Sequence, residues 1–285
     1  MTYRTRFAPS PTGPLHLGHA YSALLAYDLA KAAGGDFVLR IEDTDCGRCK
    51  PEFEAAIIED LNWLGLDWEQ PVWRQANRLD EYRNALDRLA SAGFCYPCSC
   101  SRKDIRDALS APQEGQPHLT PDGFVYPGTC RHRSMDDRQD TDAIRLDVGK
   151  VLSAKPNIAE EFFTEEGPNH TGVHRISKKR MLLSIGDIVL ARRDINAASY
   201  HLAVVVDDAA QEITHVIRGE DLFEATYIHR LLQTLLGLPT PVYHHHRLIR
   251  DEDGKRLAKR TDAKSLKTLR ENGATFQSIR QQLGL

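Results

Sequence analysis

Apolar positions along this chain follow two rhythms. Phe37-Val38-Leu39-Arg40-Ile41 is a short, mostly apolar run after Gly34-Gly35 and predicts a buried parallel strand. Arg4 to Ala8 predicts another strand, and Ala20 to Ala32 a helix between the two. Together they form a βαβ unit of the dinucleotide-fold kind. Pro51 stands where the first residue of a helix tolerates proline, and Phe53, Ile57, Ile58, Leu61 and Leu64 follow at helical spacing. Leu79, Tyr82, Leu86 and Leu89 predict a second amphipathic helix, ended by Gly93.

The rhythm changes near Cys95. Between Ala111 and Thr129, four prolines and three glycines interrupt the chain, which predicts a loop-rich insertion rather than a piece of sheet. Ala143 to Val148 alternates like a half-buried strand. Lys150 to Ser184 shows no clear period and is expected to hold irregular connections. Apolar runs return at Ile188-Val189-Leu190 and from Leu202 to Val206. Ile213 to Arg218 predicts a strand, and Leu222 to Leu236 a helix stopped by Gly237 and Pro239. No internal repeat or low-complexity tract is present. The implied fold is α/β: a split nucleotide-binding sheet, a middle insertion and a small helical end.

Composition narrows the class. The chain has 285 residues, 41% hydrophobic and 27% charged, as in an ordinary globular protein. No apolar run could span a bilayer, and the start, Met1-Thr2-Tyr3-Arg4-Thr5-Arg6-Phe7, lacks the apolar stretch of a signal peptide. A cytoplasmic enzyme with no membrane partner is the expectation. The net charge of -3 gives no global nucleic-acid signature. From Val242 onward, however, ten basic residues stand against five acidic ones, a local excess suited to phosphate. The six cysteines read as metal ligands or free thiols, not as a disulfide framework.

The candidate chemistry begins at Pro9-Ser10-Pro11-Thr12-Gly13-Pro14-Leu15-His16-Leu17-Gly18-His19. Two histidines three apart flank a glycine where the chain enters a helix. A helix N-terminus offers free N–H groups and a partial positive charge. His16 and His19 would add donors, and Gly18 would let a nucleotide approach the backbone. Asp43 and Asp45 lack the further carboxylates of a metal site and are expected to be structural. Asp207-Asp208 is expected to end an apolar run. His244-His245-His246, after Pro241-Val242-Tyr243, is expected at a strand edge near the nucleotide. Cys98-x-Cys100 with Cys130 could clip the loop-rich insertion through a metal. Cys95 reads as core, and Cys46 and Cys49 as loop thiols.

Several ordered segments carry a resemblance. Arg6-Phe7-Ala8-Pro9-Ser10-Pro11-Thr12-Gly13, Leu39-Arg40-Ile41-Glu42-Asp43-Thr44-Asp45 and Trp63-Leu64-Gly65-Leu66-Asp67-Trp68 resemble catalytic segments of glutamyl-tRNA synthetases, as do Val204-Val205-Val206-Asp207-Asp208 and Ile213 to Asp221. The stretch around His16 to His19 resembles the HIGH signature of class I synthetases. Arg256-Leu257-Ala258-Lys259-Arg260 resembles their KMSKS loop, with Arg256 and Ala258 departing from the pattern. The chain ends at Leu285, where glutamyl-tRNA synthetases continue into an anticodon-binding region. With the pattern of the insertion, it is therefore similar to the glutamyl-queuosine tRNA(Asp) synthetases.

The resemblance implies a class I Rossmann-type parallel sheet over residues 1–240. A zinc- and acceptor-binding insertion would interrupt it at about 95–186. The KMSKS-like loop and a helical, stem-contact-like part would span 241–285, with no anticodon-binding domain. It implies ATP, accompanied by Mg²⁺, with His16, Gly18, His19, Arg256 and Lys259 on the nucleotide; His16, His19 and Lys259 are the catalytic set. It implies L-glutamate, with Arg6 and Tyr200 on the side-chain carboxylate, Arg218 on the α-carboxylate, and Glu42, Ser10 and the Ala8 backbone on the amino group. The sequence does not decide which arginine takes which carboxylate. It implies one structural Zn²⁺ on Cys98, Cys100, Cys130 and Tyr126, with His118 or His132 close enough to compete for the fourth place. The implied acceptor is the queuosine of tRNA(Asp), and the expected state is a monomer. The rival readings are a shortened glutamyl-tRNA synthetase charging a tRNA 3′ end, a non-catalytic paralogue that binds RNA or protein, and an adenylate-forming enzyme with a small-molecule acceptor.

Overall fold

Strand β1 (Arg4–Phe7), helix α1 (Leu17–Ala32) and strand β2 (Asp36–Ile41) form the expected βαβ unit, with β1 and β2 parallel and Arg4 level with Asp36. The computed structural model describes residues 2–110, 119–120, 123–193, 197–250 and 265–285. Helix α1 turns Ala20, Ala23, Ala26 and Ala30 inward, all fully buried, so small side chains let it lie close to the sheet. The Thr5 hydroxyl donates to Ala26 O across this contact at 2.9 Å. Helix α2 (Pro51–Trp63) begins with its proline, as expected, and buries Ile57 and Leu61. Strand β3 (Glu69–Arg74) adds parallel to β2, and helix α3 (Leu79–Ser91) follows.

The insertion starts with β4 (Cys95–Cys98) and α4 (Arg102–Ser110), and a two-residue pair, β5 (Leu119–Thr120) and β6 (Gly123–Phe124), follows. Strand β7 (Ala143–Leu146) is buried at all four positions rather than alternating, because it is the middle strand of an antiparallel β10–β7–β4 sheet, β10 being Ile188–Ala191. The chain then enters α5 (Val148–Ala154), which occupies the end of the run expected to be strand.

Lys150 to Ser184 is more ordered than its sequence predicts. It contains β8 (Phe162–Glu165), β9 (Gly172–Arg175) and α6 (Lys178–Arg180), which runs into a π-helical turn, Met181–Ile185. Strand β8 pairs with β12 (Val242–His246), and β12 with β11 (His215–Gly219), both in parallel. The polar side chains of β8 and β9, such as Glu165 and His174, mask the strand rhythm. Strand β12 is therefore an interior strand, which corrects the expected strand edge at His244–His246.

Helix α7 is Tyr200–Ala210, so the Leu202–Val206 run is helical, and α8 is Ala225–Leu236, closed by Gly237 in the left-handed conformation at φ 64°. Strand β11 runs alongside β1: Thr214 N–H donates to Arg4 O at 3.0 Å, and Arg4 N–H to Thr214 Oγ1 at 2.7 Å. From β1 the strands thus extend to β2 and β3 on one side and to β11 and β12 on the other. That reversal opens a crevice beyond the strand ends. Helices α9 (Leu266–Glu271) and α10 (Phe276–Leu283) pack Leu266, Ile279 and Leu283 into the core under α1 and α2. Among the described residues, no helix is long and apolar enough to cross a membrane.

Candidate active site

A cavity of about 290 Å³ opens at that crevice. Its wall takes Phe7 and Ala8 from the end of β1, Glu42 from the end of β2, Gly219 from the end of β11 and His246 from the end of β12. Arg6, Ser10, His16, Gly18, His19, Tyr200 and Arg218 line the same cavity. The sequence-derived nucleotide and glutamate residues within the described chain thus converge on one space. Arg256 and Lys259 lie outside the described residues. Their flanks meet the site: Ile249 lines the cavity, and Leu266 N–H donates to Leu15 O at 2.8 Å beside His16.

His16 is the N-cap of α1. Gly18 N–H donates to His16 Nδ1 at 3.1 Å, and His16 N–H donates to His19 Nδ1 at 3.2 Å. Both Nδ1 atoms are acceptors, so each neutral ring carries its hydrogen on Nε2. The two rings stack at 3.8 Å. They therefore add N–H donors to the positive end of the helix, an arrangement suited to phosphate. A Cβ at Gly18 would come within 3.0 Å of the His16 ring, so glycine also makes room for this cap.

Three buried arginines, Arg6 and Arg218 in the cavity wall and Arg40 bonded to Glu42, have different partners. Arg40, fully buried, pairs with Asp208 at 2.8 Å, Glu42 at 3.5 Å and Asp207 at 3.7 Å. Arg6 Nε pairs with Asp208 at 3.1 Å. Asp207 also receives Arg78 Nε at 2.8 Å, Tyr82 Oη at 2.7 Å and Gln75 Nε2 at 2.9 Å. Asp207 and Asp208 thus follow the apolar run inside helix α7, near its end, as buried counter-ions. Burial alone would raise the Asp208 carboxyl; Arg6 and Arg40 outweigh it and hold it below its ordinary range. Burial raises Glu42, with Arg40 and Arg6 only partly offsetting it.

Arg218 differs. Its Nε donates to His245 Nε2 at 2.9 Å, its Nη1 to His229 Nδ1 at 3.1 Å and Tyr200 Oη at 3.3 Å, and its Nη2 to Thr226 Oγ1 at 2.7 Å and Leu222 O at 3.1 Å. Every acceptor is neutral. Among the described residues, no carboxylate lies within 4.0 Å of this guanidinium, which is 5% exposed. A buried cation without a counter-ion is costly, and a bound carboxylate relieves that cost. Tyr200 is bonded to Arg218, whereas the sequence reading grouped it with Arg6. Burial raises its phenol, which stays a neutral donor.

Arg40 and His229 carry no signal that marks them as site residues in the sequence, and His245 is expected only as part of a tract near the nucleotide. Arg40 lies inside an apolar run, and its charge is what sets it apart there. His229 looks like one more residue of the α8 pattern.

The cysteine cluster lies at the end of β4. Cys100 and Cys130 sulfurs are 3.5 Å apart, and the Cys98, Cys100 and Cys130 sulfurs all lie within 4.8 Å of one another. The Tyr126 oxygen is 3.4 Å from both Cys98 and Cys100 sulfurs. Tetrahedral Zn²⁺ with bonds near 2.3 Å to sulfur and 2.0 Å to oxygen needs S···S and S···O separations of roughly 3.8 and 3.5 Å. The donor set fits such an ion. His132 is exposed and does not join the cluster; His118 lies outside the described residues. Burial resists ionisation of the Cys130 thiol, but hydrogen bonds with Tyr126, Ser99 and Cys100 bring it down to about 7. Cys95 is core, its thiol pushed up to about 12 by burial. Asp43 accepts from Ala76 N–H at 2.8 Å and Asp45 pairs with Arg48 at 2.6 Å, so both brace a loop.

A second, larger cavity of about 960 Å³ lies between the insertion and α7. Arg102, Arg106, Arg145, Arg192 and Arg193 line it, together with Tyr200 and His201. Tyr200 therefore borders both cavities.

A parallel sheet split by an insertion, a histidine-capped helix at the switch point and an arginine-lined pocket define a nucleotide-dependent ligase fold of the class I synthetase kind. The chain belongs to the tRNA synthetases class I (E and Q), whose catalytic-domain model matches residues 2–285. It is 56% identical over 284 residues to a glutamyl-Q tRNA(Asp) synthetase of Rhodobacter capsulatus, covering 99% of both chains. It is 38% identical over 274 residues to the glutamate–tRNA ligase of Aquifex aeolicus, covering 95% of this chain and 54% of that one. Among solved structures it resembles a glutamate tRNA ligase of Elizabethkingia meningosepticum in complex with its amino acid, with a TM-score of 0.70 and 28% identity over 96% of this chain. The chain spans about half the length of these two ligases.

Proposed function

We propose that this enzyme joins L-glutamate to ATP, forming glutamyl-adenylate, and passes the glutamyl group to the queuosine base at the wobble position of tRNA(Asp). The observation that carries the amino-acid assignment is Arg218, a buried cation ringed by neutral acceptors, in one cavity with Arg6 and the anionic Glu42. Two cations and one anion match glutamate's two carboxylates and ammonium. Arg218 and Tyr200 take one carboxylate and Arg6 the other, while Glu42, Ser10 and the Ala8 carbonyl take the ammonium.

In the first step a carboxylate oxygen of the amino acid attacks the α-phosphorus of ATP, and pyrophosphate leaves. His16 and His19 donate to the phosphates, Gly18 opens the backbone beside them, and Arg256 and Lys259 complete the phosphate set, with Mg²⁺ accompanying ATP. In the second step an acceptor hydroxyl attacks the acyl carbon, and AMP leaves. The arginine-lined second cavity suits an RNA backbone, and Tyr200 joins the two spaces. The choice of queuosine rests on the 56% identity, over nearly the whole of both chains, to the Rhodobacter capsulatus synthetase of that name. Zn²⁺ on Cys98, Cys100, Cys130 and Tyr126 would fix the insertion and take no part in the chemistry. The enzyme acts in the cytoplasm, as a monomer.

The test is ATP–pyrophosphate exchange without RNA. Glutamate should support exchange, and glutamine and aspartate should not. Exchange that appears only after tRNA is added would count against the queuosine-directed reading. Exchange with none of the three even in the presence of tRNA would overturn an adenylating role and favour a non-catalytic RNA- or protein-binding paralogue.

A further inference from the structure

Five polar side chains run in a line from β8 to the second cavity: Glu165, His245, Arg218, His229 and His201. Glu165 Oε2 meets His245 Nδ1 at 2.5 Å, and Glu165 Oε1 accepts from the N–H groups of His245 and Gly167, each at 2.7 Å. His245 Nε2 faces Arg218 Nε, His229 Nδ1 faces Arg218 Nη1, and His229 Nε2 meets His201 Nδ1 at 3.1 Å. His201 borders the second cavity. All five are buried.

Arginine can only donate. Each imidazole nitrogen facing Arg218 must therefore present a lone pair. For His245 this puts the hydrogen on Nδ1, where Glu165 accepts it. For His229 it puts the hydrogen on Nε2, where His201 Nδ1 accepts it. The reverse tautomer of either ring would set N–H against N–H. Thr226 Oγ1, 3.3 Å from His245 Nε2, is placed to support the same lone pair.

We infer that His229 and His245 are positioning residues, held as single neutral tautomers by His201 and Glu165 so that Arg218 stays a fixed donor set for the substrate carboxylate. The inference rests on reading Arg218 as a carboxylate-binding group. Two further observations agree. Burial, with the Arg218 charge, keeps His229 neutral, and burial also lowers His245 to about 4 despite the Glu165 contact. A Cβ on Gly167 would fall 2.2 Å from His245 O and 2.6 Å from Glu165 Oε1, so the chain gives up a side chain to bring this carboxylate against the ring.

The arrangement has a consequence for binding. The five Arg218 N–H groups already meet His245, His229, Tyr200, Thr226 and Leu222 O, so a ligand carboxylate takes the place of one of the longer contacts, such as Tyr200 Oη at 3.3 Å. The carboxylate then brings the negative charge that the neutral acceptors lack.

Two measurements test this. In long-range ¹H–¹⁵N spectra of histidine-labelled protein at pH 7.5, His229 should appear as the neutral Nε2–H tautomer and His245 as the neutral Nδ1–H tautomer. Each is assigned by the signal lost in His229→Asn or His245→Asn. A ring carrying hydrogen on the nitrogen facing Arg218, or on both nitrogens, would overturn the inference. In glutamate-dependent exchange, His229→Leu should raise the glutamate KM at least tenfold and leave the ATP KM within twofold. His229→Asn, whose Oδ1 can stand in for Nδ1, should stay within threefold of the unmodified enzyme. An unchanged glutamate KM in His229→Leu, equal shifts for ATP and glutamate, or an Asn variant as impaired as the Leu variant would each count against it. Should His229→Leu not fold, His229→Gln replaces it, since its amide sits nearer the Nε2 position. An unmodified enzyme with no glutamate-dependent exchange would overturn the proposed function, and the tautomer spectra would still decide the inference.

Discussion

At the scale of single residues, the site is organised by which charges are already neutralised. Arg40 and Arg6 share Asp208, so the sheet's buried positive charge is largely met within the protein. Glu42 stands at the cavity with its carboxyl raised by burial, and its neighbouring arginines only partly restore its acidity. A carboxylate that must hold an ammonium works only when ionised. Because its proton is bound more tightly than usual, ionisation is lost at a higher pH than for an ordinary glutamate. The glutamate KM should therefore rise as the pH falls below neutrality, earlier than an exposed carboxylate would dictate. Glu42→Gln should start from a KM at least tenfold higher and show a much flatter pH profile, and steady-state exchange between pH 5 and 8 checks this. A steep profile retained in the Gln variant would assign the titration to another group. His16 and Gly18 were readable because they combine an unusual residue pattern with a helix start, whereas Arg6, Glu42, Tyr200 and Arg218 were reached only through the resemblance. Arg40 and His229 were not readable, because their patterns match those of ordinary strand and helix positions and only the fold reveals what they face.

At the scale of elements, α2 and the C-terminal helix α9 meet through Asp60, which is 1% exposed and 3.4 Å from Arg270. Neither Asp60 oxygen has a hydrogen-bond partner, and burial raises the carboxyl from 3.8 to about 6, outweighing the pull of Arg270. A carboxyl whose folded pKa is raised stabilises the fold below its unfolded pKa, and that stabilisation is lost as the pH climbs through the folded value. The intact protein should lose on the order of 2 kcal/mol of stability from this residue between pH 4 and 8. Asp60→Asn should remove that slope, as read by urea midpoints across the range. Equal slopes in both proteins would show that Asp60 is ionised without cost. In the insertion, the cysteine cluster stands at the end of a three-stranded sheet, β10–β7–β4. Purified protein should carry one zinc per chain by elemental analysis. Cys100→Ser should lower that content by at least half and speed proteolysis of the insertion. Protein prepared without chelator and free of zinc would remove the metal from the account. The C-x-C spacing stood out in the sequence because cysteine is rare, and Tyr126 was reached only through the resemblance. Strands β8 and β9 did not stand out, since short strands with charged faces carry no period that separates them from loop.

At the scale of the whole molecule, the two cavities share Tyr200, and the line from Arg218 through His229 to His201 connects their walls. The amino-acid pocket lies at the strand ends, and the arginine-lined space lies between the insertion and α7. This geometry suits an enzyme that builds an activated acyl group in one place and delivers it to a large anionic acceptor in the next. The overall α/β plan was readable from alternating apolar runs, and the splitting of the sheet from the loop-rich stretch after Cys95. The partition of strands among the sheets was not, because pairing partners such as β8 and β12 are far apart in sequence and nothing local records them. The most direct measurement is charging with radiolabelled glutamate on tRNA(Asp) with and without queuosine, followed by nuclease digestion and mapping of the labelled nucleoside. Label should enter only the queuosine-bearing tRNA and should map to the wobble nucleoside. Label on the 3′-terminal adenosine, or equal labelling of both tRNAs, would contradict the account.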